Sequence, residues 1–398
     1  MTSTAKKTAQ IIEADIVIVG AGLVGLTAAI AMAKQHKRVV LVDSRPPKND
    51  VPSSHSWDAR IYALTENTIA WLKTLGIWAK LDTARVNSID AMELWDPQHG
   101  AQLMLRAEDA NLLHMGCILE NSNLMRACIQ ALADLHLDVT IANPIGIQHQ
   151  AQCVDLLLDN KQAVRAKLMI AADGVHSWVR QQMQIGVSLK SFQQTAIVAN
   201  FHAELPHRDV AKQWFQPHET LALLPLPNQV VSMVWSVTHA RAQALLALSE
   251  EALAQAVRDS SHDVTGSLRL CGEVLSFDLN QQTAQTFIGD RVVLVGDAAH
   301  QVHPMAGQGV NLGFRDVMQL TEMTTKLSVM HDMGDSSFLR SYARARQLDI
   351  TRMNTLTSGL DALFATSAGW LQALTGHGMQ AINRQAWLKK YLVQAATL

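Results

Sequence analysis

Three short stretches of the chain carry residue types that can do chemistry at their spacing. In the first, Gly20, Gly22 and Gly25 form G-x-G-x-x-G directly after the β-branched run Ile16-Val17-Ile18-Val19, and residues 26–34, rich in alanine and apolar throughout, follow as a buried helix would. The first glycine permits a tight turn, the second lets backbone approach a pyrophosphate, and the third lets helix pack close to strand. The helix N-terminus then supplies unpaired N–H groups and the positive end of its dipole. A second strand, residues 38–42, ends at Asp43, about 20 residues on, where a carboxylate can accept from a ribose hydroxyl. Glycines alone serve ordinary turns, but strand, glycines, helix, strand and acid in register point to an adenine dinucleotide. The triplet does not choose between NAD and FAD.

The second stretch is a strand at 167–171 that runs into Ala172-Asp173-Gly174-Val175-His176-Ser177. The third is a buried strand at 291–295 followed by Gly296-Asp297-Ala298-Ala299-His300, then by Pro304, Gly307, Gln308, Gly309, Val310, Asn311 and Gly313. A carboxylate at a strand end can hold a cofactor's polyol chain, and free N–H groups at a helix start can stabilise negative charge on a bound ring. Each residue also has a plainer reading. Asp173 can cap its own turn, Arg60 can be a solvated arginine, and His300 and His303 can be satisfied loop histidines beside a loop-ending Pro304.

The whole chain fits this picture. Its 398 residues suit two or three domains, and with 48% hydrophobic and 17% charged residues it is a globular protein, not a disordered one. Lys plus Arg is 33 against 35 Asp plus Glu, with no block of like charge, so nucleic acid is not an expected partner. Cys117, Cys128, Cys153 and Cys271 show no C-x-x-C or zinc-ligand spacing, which suits a reduced cytosolic protein. The uncharged stretch 16–33 is long enough to suggest a signal peptide or a membrane span. Glu13 and Asp15 precede it and three glycines interrupt it, so strand and buried helix is the better reading, and any membrane contact is expected to be peripheral.

At this point the chain resembles the FAD-dependent aromatic monooxygenases of the para-hydroxybenzoate hydroxylase fold, in which a glycine-rich start, an A-D-G turn and a G-D-A-A-H turn occur in this order. Within that fold it is similar to the ubiquinone-biosynthesis hydroxylases, through Asp58-Ala59-Arg60-Ile61-Tyr62-Ala63-Leu64, Glu120-Asn121, Gln194-Thr195-Ala196, Leu223-Leu224-Pro225-Leu226 and His303-Pro304-Met305-Ala306-Gly307-Gln308-Gly309-Val310-Asn311-Leu312-Gly313. The likeness spans nearly all of residues 14–365. Phe192, Met305 and Asn121 stand where relatives often carry other residues.

The resemblance implies FAD and NADPH or NADH as cofactors. It implies Gly20, Gly22, Gly25 and Asp43 on the ADP half of FAD, Arg60 near the pyrophosphate, and Asp173 and Gly174 in a turn serving both cofactors. Asn121 and Gly307 join the cofactor set, Asp297 holds the ribitol region, and Gly309, Val310 and Asn311 present backbone N–H groups to the pyrimidine edge. His303 and Pro304 are the candidates for the catalytic pocket. No metal is expected.

The fold class expected is α/β. A discontinuous Rossmann-like FAD-binding domain (1–80, 106–182, 284–345) carries a mostly antiparallel β-sheet substrate domain (81–105, 183–283) and a C-terminal helical region (346–398), because the three glycine-bearing junctions must converge on one cofactor. Strands are expected at 195–204, 221–226 and 230–237, the last two joined by a Pro227-Asn228-Gln229 hairpin, with one helix over 240–257. Near the C-terminus Trp387, Leu388, Tyr391 and Leu392 share a helix face beside Lys389 and Lys390. Packing on the protein or a partner subunit is preferred to a membrane surface.

The implied activity is hydroxylation by O2 of a polyprenylated phenol in ubiquinone biosynthesis, in an apolar pocket that excludes water and places the ring. A cytoplasmic location follows, with peripheral attachment at the inner membrane face, a homo-oligomer and a quinone-synthesis complex left open. The rivals are a prenyl-lipid reductase on the same scaffold and a non-catalytic subunit that only organises such a complex. A disulfide reductase would need a second nucleotide fingerprint and a cysteine pair, and a flavin halogenase a W-x-W-x-I-P stretch; the chain has neither.

Overall fold

A computed structural model describes residues 10–49, 56–98, 100–301, 309–328, 331–365 and 385–397. The β-branched run forms strand Ile16–Val19, buried along its whole length, as expected of a parallel strand covered on both faces. It sits inside a six-stranded sheet ordered Ile288–Gly289, Val292–Leu294, Leu168–Ala171, Ile16–Val19, Val39–Asp43, Val139–Ile141; all neighbours are parallel except the first pair. The three chemistry-bearing junctions therefore leave adjacent strands of one sheet at the same end. Helix Leu23–Lys34, buried on nearly every residue, packs on this sheet together with Asn121–Asp134 and Gly309–Lys326.

A second sheet lies beyond it, running His300–Gln301, Leu275–Ala284, Val187–Ala203, Val230–Thr238, Glu219–Leu226, Val210–Gln216, Ala91–Asp96, Ala101–Arg106, with Leu268–Leu270 on the side. Its pairing is antiparallel apart from Val210–Gln216 beside Ala91–Asp96. The expected hairpin is present: Asn228 and Gln229 both have positive φ, 61° and 59°, the turn geometry whose twist matches the flanking strands. Odd-numbered residues such as Ile197, Phe201, Leu221, Leu223, Val231 and Met233 build a core under two helices, while Leu224, Leu226 and Val230 face the other way, toward Ile61, Ala63 and Ile118.

The expected single helix over 240–257 is two. His239–Leu246 stops, and Glu250–Ser260 restarts where the Ser249 side chain accepts from Ala252 N–H at 3.2 Å with Glu250 and Glu251 in the first turn. The expected strand at 195–204 is the end of a much longer one, Val187–Ala203, whose first part pairs with Leu275–Ala284 across an irregularity between Ser191 and Thr195.

Two smaller sheets complete the described residues: Gln10–Glu13 with Gln162–Ala166, Val154–Leu158 and Pro144–His149, and Ile61–Thr65 with Gly116–Glu120 and Val86–Ile89. The latter pairing crosses the 80/81 division drawn from sequence, and helix Ser336–Ala365 runs through residue 346. The C-terminal helix Ala386–Thr397 packs on the protein through Leu392 and Val393, whereas Trp387 is 68% exposed.

Candidate active site

At the first junction Gly20 has φ +105°, and a Cβ there would lie 2.3 Å from the Ala172 carbonyl oxygen; at Gly25 it would lie 1.8 Å from the Gly20 oxygen. Only glycine lets strand, helix and neighbouring strand approach this closely. Gly22 is different. Its φ of −74° is open to any residue, and a Cβ would meet nothing within 4 Å, so its backbone faces open space. Asp43, at the end of the second strand, accepts from Ala21 N–H at 2.7 Å through Oδ2 and from Arg45 N–H at 3.0 Å through Oδ1. It ties the glycine loop to the neighbouring strand.

At the second junction Gly174, φ +80°, also has nothing within 4 Å of a built Cβ. Asp173 Oδ2 accepts from Val179 N–H at 3.0 Å, so the capping role is real, but its buried Oδ1 has no hydrogen-bond partner among the described residues. Burial lifts the Asp173 carboxyl above its usual range, against the opposing hydrogen bonds from Ser177 and Val179.

At the third junction Asp297 reaches solvent while protein surrounds it on most sides, the environment of a cleft floor. Burial raises its carboxyl above the usual range, and His300 and Arg60 pull the other way. Arg60 thus lies within electrostatic range of Asp297. Tyr62 joins them: its hydroxyl, pushed up to about 12 mainly by burial, feels Arg60, Asp297 and Asp58, and lies 3.4 Å from Asn121 Oδ1. Gly309 and Val310 open the helix Gly309–Lys326 with half-exposed backbone, and a Cβ at Gly309 would meet nothing within 4 Å. The Asn311 side chain is instead a structural clamp, donating to the Ala63 carbonyl at 2.7 Å and accepting from Thr65 N–H at 3.2 Å. His303, Pro304 and Gly307 lie outside the described residues.

His300 is a satisfied histidine. It is 3% exposed and held at 2.7 Å by Asp316 Oδ2, which also accepts from Gly296 N–H at 2.7 Å. Arg346 Nε reaches Asp316 Oδ1 at 2.6 Å, and its Nη1 reaches Asp349 at 2.5 Å. This buried charge network underlies the turn that carries Asp297, and sequence reasoning missed it. The acid among the apolar residues Leu312, Phe314, Val317 and Leu320 of one helix was the available signal.

Also missed was the anchor of the Arg60 loop. Arg85 grips the fully buried Glu120 at 2.5 and 2.8 Å, donates to the Ser56 carbonyl at 2.7 Å, and lies 4.3 Å from the Trp57 ring centre.

A FAD molecule is tested directly by these features. Exposed backbone at Gly22, half-buried backbone at Gly174 and Gly309 with open space where a Cβ would stand, an unpaired buried carboxylate oxygen on Asp173, and Asp297 within electrostatic range of Arg60 are polar features that a compact core would close or pair. They converge at one sheet end and fit the cofactor. Among the described residues no cluster of side chains could hold a metal, and no helix is long and apolar enough to cross a membrane.

The architecture is that of FAD-dependent monooxygenases. The p-nitrophenol 4-monooxygenase PnpA of Pseudomonas putida DLL-E4 superposes with a TM-score of 0.78 at 17% identity, over 97% of this chain and 98% of that one. Klebsiella pneumoniae HpxO, complexed with FAD and uric acid, gives 0.71 at 14% identity, with 96% of each chain covered. In sequence, the human mitochondrial ubiquinone biosynthesis monooxygenase COQ6 is 30% identical, covering 96% of this chain and 92% of its own length. The ubiquinone hydroxylase UbiL of Rhodospirillum rubrum is 32% identical (96% and 89%), and the 3-demethoxyubiquinol 3-hydroxylase of Escherichia coli 30% (96% and 98%). The chain belongs to the FAD binding domain family, which it matches over residues 13–357, and within it to the ubiquinone-biosynthesis hydroxylases.

Proposed function

We propose that this protein is a FAD-dependent, NAD(P)H-using monooxygenase that hydroxylates the aromatic ring of a polyprenylated phenol in ubiquinone biosynthesis. The observation that carries the reading is the convergence of three glycine-bearing junctions and two carboxylates, Asp173 and Asp297, at one end of the parallel sheet, opposite an antiparallel sheet with an apolar inner face. The names of the three relatives support the pathway.

In this reading the discontinuous domain 1–80, 106–182 and 284–345 holds FAD, and 81–105 with 183–283 covers it. Gly20, Gly22, Gly25 and Asp43 take the ADP half, Arg60 the pyrophosphate with Asn121 nearby, Asp173 and Gly174 the turn shared with NAD(P)H, and Asp297 the ribitol. Gly307, Gly309, Val310 and Asn311 serve the ring edge, with His303 and Pro304 at the catalytic pocket. When bound, FAD supplies electrons, drawn from NAD(P)H, that activate O2 toward an electron-rich ring. The chain contributes the rest. N–H groups at the start of helix Gly309–Lys326 present positive partial charge, the Asp316 network holds the Asp297 turn in place, and the apolar wall from Leu224 to Ile61 excludes water and orients the ring.

The test is mass spectrometry of lipid extracts from cells lacking the gene, followed by the purified protein with labelled O2. Accumulation of a quinone precursor short of one ring oxygen, and label in the product, is the expected result. NAD(P)H consumption without label would make it a reductase, and protein that never binds FAD would make it a non-catalytic subunit.

A further inference from the structure

On the inner face of the antiparallel sheet, Asn200 and Ser232 stand directly opposite each other on strands Val187–Ala203 and Val230–Thr238, and both side chains are fully buried. Asn200 donates through Nδ2 to the Asp58 carbonyl at 3.0 Å. A carbonyl neighbour accepts only, so the amide must turn its nitrogen that way and its oxygen away. Neither Asn200 Oδ1 nor Ser232 Oγ has a hydrogen-bond partner among the described residues.

Two such atoms side by side are unusual, because a buried polar group without a partner loses its hydration for nothing. Their position is informative too. Leu224 flanks Ser232 on the next strand and shares an apolar cluster with Ile61 and Ala63, the strand entered from Arg60. Asp58, bonded to Asn200, is two residues from Arg60, which is coupled to Asp297. The pair therefore lies in the wall between the covering sheet and the loop of the proposed cofactor site.

The two atoms ask for one kind of ligand. An amide oxygen only accepts, whereas a serine hydroxyl donates and accepts. We propose that Asn200 and Ser232 form the polar subsite for a ring hydroxyl of the phenol, which donates to Asn200 Oδ1 and accepts from Ser232 Oγ. This rests on the hydroxylase reading and extends it to specificity. A hydroxyl satisfies both partners, while a methyl ether at the same place leaves Asn200 unpaired, so the site selects phenol over ether.

The experiment uses the FAD-loaded full chain, with a short-chain prenylphenol and its methyl ether as probes whose binding is followed by flavin absorbance. In Ser232→Ala the phenol and the ether should both bind about tenfold more weakly, because either oxygen accepts from Ser232 Oγ, the cost of one hydrogen bond to a buried site. The melting temperature without ligand should hold or rise, since an unpaired polar atom has been removed. Asn200→Leu should lose the phenol-over-ether preference altogether. A melting temperature that falls in Ser232→Ala, with phenol affinity intact, would mean that the hydroxyl holds a structural water, and would overturn the proposal. Unchanged affinity and stability would overturn it equally while leaving hydroxylation standing. Wild-type holoenzyme that hydroxylates no phenol would overturn the functional reading and this subsite with it.

Discussion

Asp316→Asn removes one charge from the buried network under the Asp297 turn and keeps the side-chain shape. The carboxylate accepts from Gly296 N–H, His300 Nε2 and Arg346 Nε, at 2.7, 2.7 and 2.6 Å, and is 1% exposed. An amide has one accepting atom, so its NH2 must face at least one of these donors and leave it unpaired. Arg346, 3% exposed, would keep only Asp349 against its charge. Breaking one partner out of a buried pair costs about 3–5 kcal/mol, a large part of a total stability of roughly 5–15 kcal/mol, and should lower the melting temperature by on the order of 10 °C.

The pH dependence follows from the same contacts. Burial pushes the Asp316 carboxyl up, but the charges of His300 and Arg346, with the His300 and Gly296 hydrogen bonds, pull it further down, so it titrates below the ordinary range. With the folded value below the unfolded value of about 3.9, the stabilisation is complete above that pH and is lost as pH falls through the folded value. Melting curves of wild type and Asp316→Asn, recorded by calorimetry without FAD, should differ most near neutrality and converge in acid. A difference under about 1 kcal/mol at pH 7, or one that does not shrink in acid, would refute the reasoning.

The glycines predict opposite outcomes from one substitution. Gly22→Val should leave the FAD-free melting temperature within what about 0.5 kcal/mol produces while FAD affinity falls at least about tenfold, because the new atoms meet only open space. Gly25→Val should lose folding and binding together, since its Cβ would overlap the Gly20 oxygen; equal behaviour in thermal and FAD titrations would be wrong for this geometry. Asp297→Ala should fold, yet bind FAD weakly and hydroxylate poorly, and wild-type binding and turnover would remove Asp297 from the site. Ser249→Ala should cost about 1 kcal/mol in urea denaturation by removing the cap on Glu250–Ser260.

What was legible in the sequence was what local chemistry enforces. Gly20 and Gly25 are glycines because backbone atoms stand 2.3 and 1.8 Å from where a Cβ would be, and Asp43 is an acid because it must reach Ala21 N–H from the next strand's end. The break at Ser249 has a local mark, since serine followed by two glutamates is a helix start, but the Ala- and Leu-rich run on both sides of it reads as one helix. The beginning of strand Val187–Ala203 was not legible, because residues 188–191 are exposed and show no alternation of burial. Pairings distant along the chain left no local mark. Gln10–Glu13 pairs with Gln162–Ala166, and Arg346 reaches back to Asp316, contacts that depend on how finished elements pack.

The loop before Arg60 shows what those distant contacts accomplish. Asp58 N–H donates to Glu120 at 2.6 Å, its carbonyl accepts from Asn200, its Oδ1 accepts from Arg60 N–H at 2.9 Å, and its Oδ2 accepts from Ser122 N–H at 3.1 Å. Glu120 is in turn clamped by Arg85, which also holds Ser56 and covers Trp57. One residue thus joins the covering sheet, the three-stranded sheet and the loop bearing Arg60, with all four of its polar groups used. A shift of the covering sheet must move Asn200, hence Asp58, hence the segment that carries Arg60 toward Asp297. The wall proposed to read the substrate and the loop proposed to hold the pyrophosphate are therefore joined by one chain of hydrogen bonds, which would set the distance between ring and cofactor together with the residues that touch either.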